Sequence, residues 1–253
     1  MSTKEHPSHV QLWHQILDSF VLSKKRRKNY NFFIVNLRAV SDGLRIGFLN
    51  DRPPFLSLKE SQALVETLSI EGLVEKTVSV LNIGDQEIVF VNTKGLLQFV
   101  TSEPSPFQLV GVVNSVPKLV SHTSDVAVKL KTIIIKCIKD YESKLSDLVL
   151  YPTEDIVGPT LLGICLGYPV IYLFQSGLSL ENLVQYELRS KPKITEISMV
   201  QLFSFTVPQC IDTGVNPCIE MWYQDLVSRI TSFDSTESIS LQKTSVSAIS
   251  VVF

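Results

Sequence analysis

Apolar side chains recur at three- and four-residue spacing in several segments, which is the pattern of helices with one buried face. Trp13, Leu17 and Phe20 belong to the first such stripe. Ser57 and Glu60 form a capping box, in which each side chain accepts a hydrogen bond from the other residue's backbone amide. Similar signals predict further helices over Tyr30–Asp42 and Lys94–Val100, a long one after Ser124, a short one ending at Leu166, and one starting at Asn216 and Pro217.

Short β-branched and apolar runs, bounded by turn-forming residues, predict strands. Gly84 and Asp85 separate two of these runs, as in a hairpin loop. Strands and helices alternate over residues 1–115 and strands then predominate, so we expect a mixed α+β fold: one mostly mixed sheet with helices packed on its faces. The predicted strands are Leu44–Leu49, Thr77–Ile83, Glu87–Val91, Leu109–Val113, Val170–Phe174, Leu183–Leu188, Ile197–Val207, Ile239–Leu241 and Val251–Phe253.

The stretch over residues 156–174 carries no charge and just reaches the length of a membrane-spanning helix. Pro169 removes a backbone donor and disfavours helix at Tyr168, and Gly167 is a suitable helix terminator. We therefore expect a short buried helix followed by a strand, both inside the core. For the whole chain we expect two regions: an amphipathic helix with a basic run over residues 1–29, and a single globular domain over residues 30–253.

The charges nearly balance, with 23 basic and 25 acidic residues and a net charge of −2. Such a chain has no overall field that draws it to nucleic acid or to an anionic membrane, so we expect neither as a partner. Residues 1–9 lack the apolar segment of a secretory signal. The four cysteines lie mostly in apolar runs, as free thiols do in a reducing compartment. We expect a cytoplasmic protein, with the nucleus as a second location.

Familiar signatures of catalysis are missing from the sequence. It contains no glycine-rich phosphate loop and no G-x-S-x-G nucleophile turn. His122 precedes the long predicted helix, where a histidine is more typical of a loop than of a catalyst. Cys210 and Cys218 are spaced too widely for the C-x₂₋₄-C arrangement of a zinc site. We expect no catalytic residue, no metal and no cofactor.

The best candidate for a ligand-binding site is the polar cluster Asn50, Asp51 and Arg52. These residues directly follow a predicted strand and precede a capped helix. Ligands of α/β proteins bind at such strand ends. Asp51 can bind a cation, accept a proton or orient a ligand hydroxyl. Equally, it can accept hydrogen bonds from the amides of the turn at Pro53 and Pro54. The sequence leaves both readings open.

A run of five cations at the end of the first predicted helix forms a second candidate site. It has the composition of a nuclear import signal or of a patch that contacts phosphates. It also suits the negative end of a helix dipole, as a solvated helix terminus. The five residues of this basic patch are Lys24, Lys25, Arg26, Arg27 and Lys28.

Five segments in a fixed order resemble an uncharacterised animal family, the chromosome 1 open reading frame 74 homologues, which carry a domain of unknown function. The resemblance covers residues 30–253 and implies one intact intracellular domain. It supplies no activity, cofactor or catalytic residue, and it does not include the basic patch. The segments are Gly43–Asp51, Asn82–Gly84, Leu166–Val170, Phe203–Pro208 and Trp222–Leu226.

Two functional hypotheses follow. The first is a non-enzymatic intracellular domain that acts through contacts with a protein partner not identified by the sequence. The alternative is a small-ligand-binding protein or enzyme with a pocket near Asp51. A concave pocket with convergent polar groups favours the alternative, whereas an exposed apolar patch favours the first.

Overall fold

A computed structural model describes residues 9–20, 29–113, 116–173, 183–192, 200–230 and 236–246. Seven helices lie in these ranges, and they include every helix predicted from the sequence. The helices are α1 (His9–Phe20), α2 (Tyr30–Ser41), α3 (Leu58–Ile70), α4 (Thr93–Thr101), α5 (Asp125–Glu142), α6 (Gly158–Cys165) and α7 (Gln209–Ile230).

Local signals fix most helix ends. The capping box at α3 is confirmed: the backbone N–H of Ser57 donates to Glu60 Oε2 at 2.7 Å, and the Glu60 N–H donates back to Ser57 Oγ at 3.3 Å. Helix α6 ends before Gly167, whose φ of +76° is the left-handed conformation expected of a glycine terminator. The strand that follows Pro169 is also confirmed, so this uncharged stretch forms two elements.

The predicted start of the last helix is wrong. Helix α7 begins at Gln209, and Pro217 lies inside it. The preceding turns are held by tertiary contacts, since Val215 is fully buried and Asp212 accepts a hydrogen bond from Tyr186. These contacts extend the helix beyond the point that local capping preferences suggest.

Ten strands lie in the described residues. Two of them, β5 and β6, were not expected, and the predicted strand over residues 251–253 falls outside the described ranges. The strands are β1 (Gly47–Leu49), β2 (Val78–Ile83), β3 (Glu87–Asn92), β4 (Gln108–Val113), β5 (Val116–Val120), β6 (Val149–Leu150), β7 (Val170–Tyr172), β8 (Leu183–Pro192), β9 (Val200–Pro208) and β10 (Thr236–Val246).

The mixed α+β class is confirmed, although these strands form three sheets rather than one. The first sheet has the order β1-β3-β2-β6, the second β5-β4-β7 and the third β10-β8-β9. Strands β2 and β6 pair in parallel, as do β4 and β7, while the other described pairs are antiparallel. Three of the edge strands of the first two sheets, β1, β6 and β7, have only two or three residues.

Helices cover both faces of the first sheet. Val80 on β2 packs with α1, α2 and α3, whereas its neighbour Leu81 faces α4, α5 and α6. This alternation is the period-two pattern of a strand buried on both sides. Ile156 and Ile164 are fully buried in the second of these layers, so the uncharged stretch is core as expected. No helix in the described part of the chain is long and apolar enough to cross a membrane.

Helix α7 and the third sheet form a further core with the other face of α2. Tyr186 and Phe205 stack with ring centroids 5.3 Å apart, and Trp222 meets Phe205 edge-on at 5.7 Å. The indole N–H of Trp222 donates to the carbonyl of Gly167 at 3.2 Å. The C-terminal helix is thereby joined to the turn after α6, next to the start of β1.

Candidate functional site

The three residues predicted at the end of β1 occupy different environments. The backbone N–H of Asn50 donates to Ile88 at 2.9 Å, and its side-chain amide donates to the carbonyl of Leu56 at 2.8 Å, so Asn50 shapes the loop that leads to α3. Arg52 is exposed and lies 5.0 Å from the ring centre of Phe32. Asp51 is exposed, and its carboxylate makes no hydrogen bond within the described residues.

Asp51 lies near a buried cation that the sequence analysis did not single out. Arg45 is only 7% exposed, and its guanidinium lies 4.8 Å from the ring centre of Phe203 and 5.7 Å from that of Phe48. Its Nη1 donates to Oδ1 of Asn36, while its buried Nε has no acceptor among the described residues. Arg45 forms no ion pair with any carboxylate in the described ranges.

Tyr168 and Asp51 both influence the charge of Arg45. Burial lowers the pKa of Arg45 to about 10, against the opposing influence of Tyr168 and Asp51. Burial raises the pKa of Tyr168, which Arg45 opposes and Asp51 reinforces. The sequence did contain a signal for Arg45: a single charge within the apolar run of residues 44–49. The run alone does not predict that Arg45 is buried, because the side chains that cover it include Phe203, which is far away along the chain.

A half-open cavity of about 270 Å³ lies on the other side of this region. The wall is formed by the Gly43 turn, the two residues before β1, helix α4, the loop after it and helix α7. Asn50, Asp51 and Arg52 do not line it, but Arg45 does. Its lining residues include Arg45, Ile46, Gln98, Phe99, Met221, Trp222, Asp225 and Arg229.

An ion pair on α7 forms one edge of the cavity. Arg229 Nη2 donates to Asp225 Oδ2 at 2.7 Å, and Arg229 Nη1 donates to the carbonyl of Gly43. Gly43 follows the last residues of α2 with a φ of +72°, as the sequence predicted for a helix stop. The bond from Arg229 to its carbonyl links α7 to the turn that ends α2.

A third polar cluster joins α7 to the third sheet. The Tyr186 hydroxyl donates to Asp212 Oδ1 at 2.6 Å, and Lys243 Nζ donates to Asp212 Oδ2 at 2.7 Å. Burial and the bond to Asp212 both raise the pKa of Tyr186. The same carboxylate raises the pKa of Lys243. Both groups therefore keep their protons at neutral pH, and the cluster acts as a tether between elements.

Other reactive side chains are held in unreactive forms. Burial raises the pKa of the Cys137 and Cys165 thiols and raises that of Cys218 to about 11, so these thiols are protonated at neutral pH. Burial, with help from Lys131, lowers the pKa of His122. The described residues contain no group of three or more His, Cys, Asp or Glu side chains placed to hold a metal ion.

The basic patch predicted at Lys24–Lys28 lies outside the described residues. The helix that precedes it is confirmed, because α1 ends at Phe20 and buries Trp13 and Leu17 against the first sheet's helical layer.

The fold and the cavity define the class of this molecule: it is a mixed α+β protein with a half-open cavity between the Gly43 turn, α4 and α7. The chain belongs to the family described as a domain of unknown function, DUF4504, whose model matches residues 21–253. The expectation of an uncharacterised family is thereby confirmed. No curated protein and no solved structure matches the chain.

Proposed function

We propose that this chain is a non-enzymatic, intracellular protein-interaction domain, and that the cavity beside Trp222 receives an apolar side chain of the partner. The observation that carries this proposal is the make-up of the cavity. Its wall combines Phe99, Met221 and Trp222 with a polar edge formed by Asp225 and Arg229. Aromatic residues, Met and Arg are enriched at protein interfaces, which have an apolar centre and a polar rim.

The size of the cavity also supports a side chain as its occupant. Pockets for drug-sized molecules span about 300 to 1,000 Å³, and this cavity of about 270 Å³ lies just below that range. A pocket that accepts one large anchor residue is typical of an interaction hot spot. Met221 is 49% exposed, so the partner would also find an apolar contact outside the cavity.

The alternative function, a small-ligand-binding protein or enzyme with a pocket near Asp51, is favoured by a different observation. The Asp51 carboxylate is exposed and makes no hydrogen bond within the described residues, yet it influences the buried Arg45. Asn50, Asp51 and Arg52 would then contact the ligand. An Asp51→Asn variant that loses binding of a metabolite identified by thermal-shift screening would support this alternative.

Three further expectations remain proposals. We propose that residues 30–253 form the single domain, that it corresponds to the chromosome 1 open reading frame 74 homologues, and that the protein resides in the cytoplasm and also in the nucleus. For the basic patch, replacing Lys25–Lys28 by Gln should change the distribution of the protein in cells and leave its thermal midpoint unchanged. A large loss of stability would contradict a solvated patch.

The proposed function is tested by filling the cavity. Gln98 is exposed on α4 and lines the cavity, whereas Lys94 is exposed on the same helix and does not. Peptides selected from a random library on the wild-type protein should bind a Gln98→Trp variant at least tenfold more weakly. They should bind the matched Lys94→Trp variant with unchanged affinity. Selected peptides that bind all three proteins equally, or a selection that enriches none, would contradict the proposal.

A further inference from the structure

The edge strands of the three sheets differ in how well they are protected. An edge strand presents unpaired N–H and C=O groups, onto which the strand of another chain can add. In the first two sheets, the described edges β1, β6 and β7 have only two or three residues, and the edge strand β5 contains Pro117. In the third sheet, the hydroxyl of Tyr172 donates to the carbonyl of Thr206 on the edge strand β9 at 2.6 Å.

Strand β10 has none of these protections in the described part of the chain. It runs for 11 residues without a proline, and β8 is the one described strand that pairs with it. Its irregularity lies at the start, between Thr236 and Ser238, and the pairing is regular from Ser238 to Val246. Residues 242–245 are exposed. A long edge of this kind is a template for a further strand.

The charged residue in the regular part of β10 does not guard the edge. A lysine on an edge strand normally opposes pairing with another chain. Lys243 instead lies over the face of the sheet, where its Nζ donates to Asp212 Oδ2 at 2.7 Å and lies 5.3 Å from the ring centre of Tyr186. Residues 238–246 contain no other charge, so no charge on this part of the strand repels an added strand.

We propose that β10 pairs with β10 of a second copy of this chain, antiparallel about a two-fold axis at Leu241, so that the two third sheets become one continuous sheet. A two-fold axis perpendicular to the sheet keeps α7 of both copies on the same face. The polar face of each strand therefore continues into a polar face, and the face towards α7 continues into its counterpart. The inference goes beyond the proposed function, because β10 does not line the cavity.

Leu241 selects the register of this pairing. It is half-buried and packs against the core between α7 and the third sheet. With the axis at this residue, the two copies of Leu241 lie directly opposite each other, and each covers apolar surface that would otherwise face water. Ser240 then lies opposite Gln242, a pair that can form hydrogen bonds, and Ser238 lies opposite Thr244. A second β10 thus offers matched faces and an apolar residue at the required position.

Two double variants that differ at one residue test this register by sedimentation velocity. We expect the wild type to self-associate between about 1 µM and about 200 µM. Ser240→Lys with Gln242→Lys places like charges opposite each other across the axis, whereas Ser240→Glu with Gln242→Lys places opposite charges there. The first variant should therefore dimerise at least about tenfold more weakly than the second. Gln201→Lys adds a charge at an exposed position of β9 and should leave dimerisation unchanged.

Hydrogen exchange of the wild-type protein gives a second measurement, which decides the question even where a variant does not fold. The amides of residues 238–244 should exchange at least about fivefold more slowly at about 200 µM than at about 1 µM, because the second copy covers them. The amides of β9, over residues 200–208, should exchange at the same rate at both concentrations.

The outcomes that overturn the inference are distinct from those that affect the proposed function. A wild-type protein that stays monomeric over the whole range refutes the pairing. Equal dimerisation of the two folded double variants, or concentration-independent exchange in residues 238–244, places any dimer interface elsewhere and refutes it as well. If the selected peptides protect β10 and a higher protein concentration does not, the occupant is a different polypeptide and the second copy is refuted. The cavity proposal is tested separately by Gln98→Trp.

Discussion

Replacing Gly47 by alanine tests the close approach between β1 and α6. A Cβ at this position would overlap the carbonyl oxygen of Cys165 and would lie 3.0 Å from Cγ1 of Val89. The φ of Gly47 is not in the left-handed region, so the backbone itself tolerates alanine. The carbonyl belongs to the last residue of α6 and cannot rotate away, so the strand and the helix must separate.

The expected loss of stability follows from this contact. Overpacking of a core costs about 1–3 kcal/mol, and a clash with backbone belongs at the upper end. The reduced entropy of the unfolded chain with alanine offsets about 0.4–1 kcal/mol. We therefore expect a net loss of about 2–3 kcal/mol, which lowers the thermal midpoint of a chain of this size by about 4–12 °C.

A second glycine, on α6 itself, provides the control, and the readout is thermal unfolding followed by circular dichroism. Gly163 lies on α6, and a Cβ there would meet Cγ2 of Ile171 at 3.6 Å, an ordinary contact. Because alanine favours the helix, Gly163→Ala should stabilise the protein by about 0.5–1 kcal/mol. The two variants should therefore shift the midpoint in opposite directions. A Gly47→Ala midpoint within about 2 °C of the wild type would refute the steric reasoning.

Three other predictions concern individual side chains. Asp212→Ala should lower the free energy of unfolding in urea by about 1–2 kcal/mol, because the buried hydroxyl of Tyr186 loses its acceptor at 2.6 Å and keeps only Asn216 Oδ1 at 3.4 Å. Lys243→Met, at a 47%-exposed side chain, should cost less than about 1 kcal/mol. Ser57→Ala should cost about 1 kcal/mol in the same assay through loss of the α3 cap. Since the folded state lowers the pKa of His122, the unfolded state binds more protons below about pH 6.5, and stability falls as the pH drops towards 5. The midpoint of the wild type should therefore fall relative to that of His122→Gln as the pH drops, and a constant difference would contradict this.

Features set by neighbouring residues were predictable from the sequence. The capping box at Ser57 and the helix stops at Gly43 and Gly167 depend on backbone conformation within a few positions. Pro169 likewise divides the uncharged stretch, because its effect falls on the residue before it. These elements therefore matched the structure closely. The short strand β6, at two residues, has no periodic pattern of its own to recognise.

The start of α7 and the role of Arg45 could not be predicted, because distant residues determine both. Tyr186 and the third sheet hold the first turns of α7, so Pro217 became an interior helix residue. Arg45 is buried by Phe203, and the cavity that it lines takes walls from three separate parts of the chain. The cluster at Asn50–Arg52 remains a prediction, since its chemistry depends on a ligand.

The bond between Arg229 and the Gly43 carbonyl joins residues 186 positions apart. At 5–20 residues per second, a ribosome needs about 10–40 s to synthesise the chain between them. For most of this interval, neither the third sheet nor α7 has been synthesised, so neither covers the face of α2 that carries Val35 and Ala39. A nascent chain of this protein thus exposes apolar surface for several seconds or more. The yield of folded protein from cells should therefore depend on chaperone capacity and on the speed of translation.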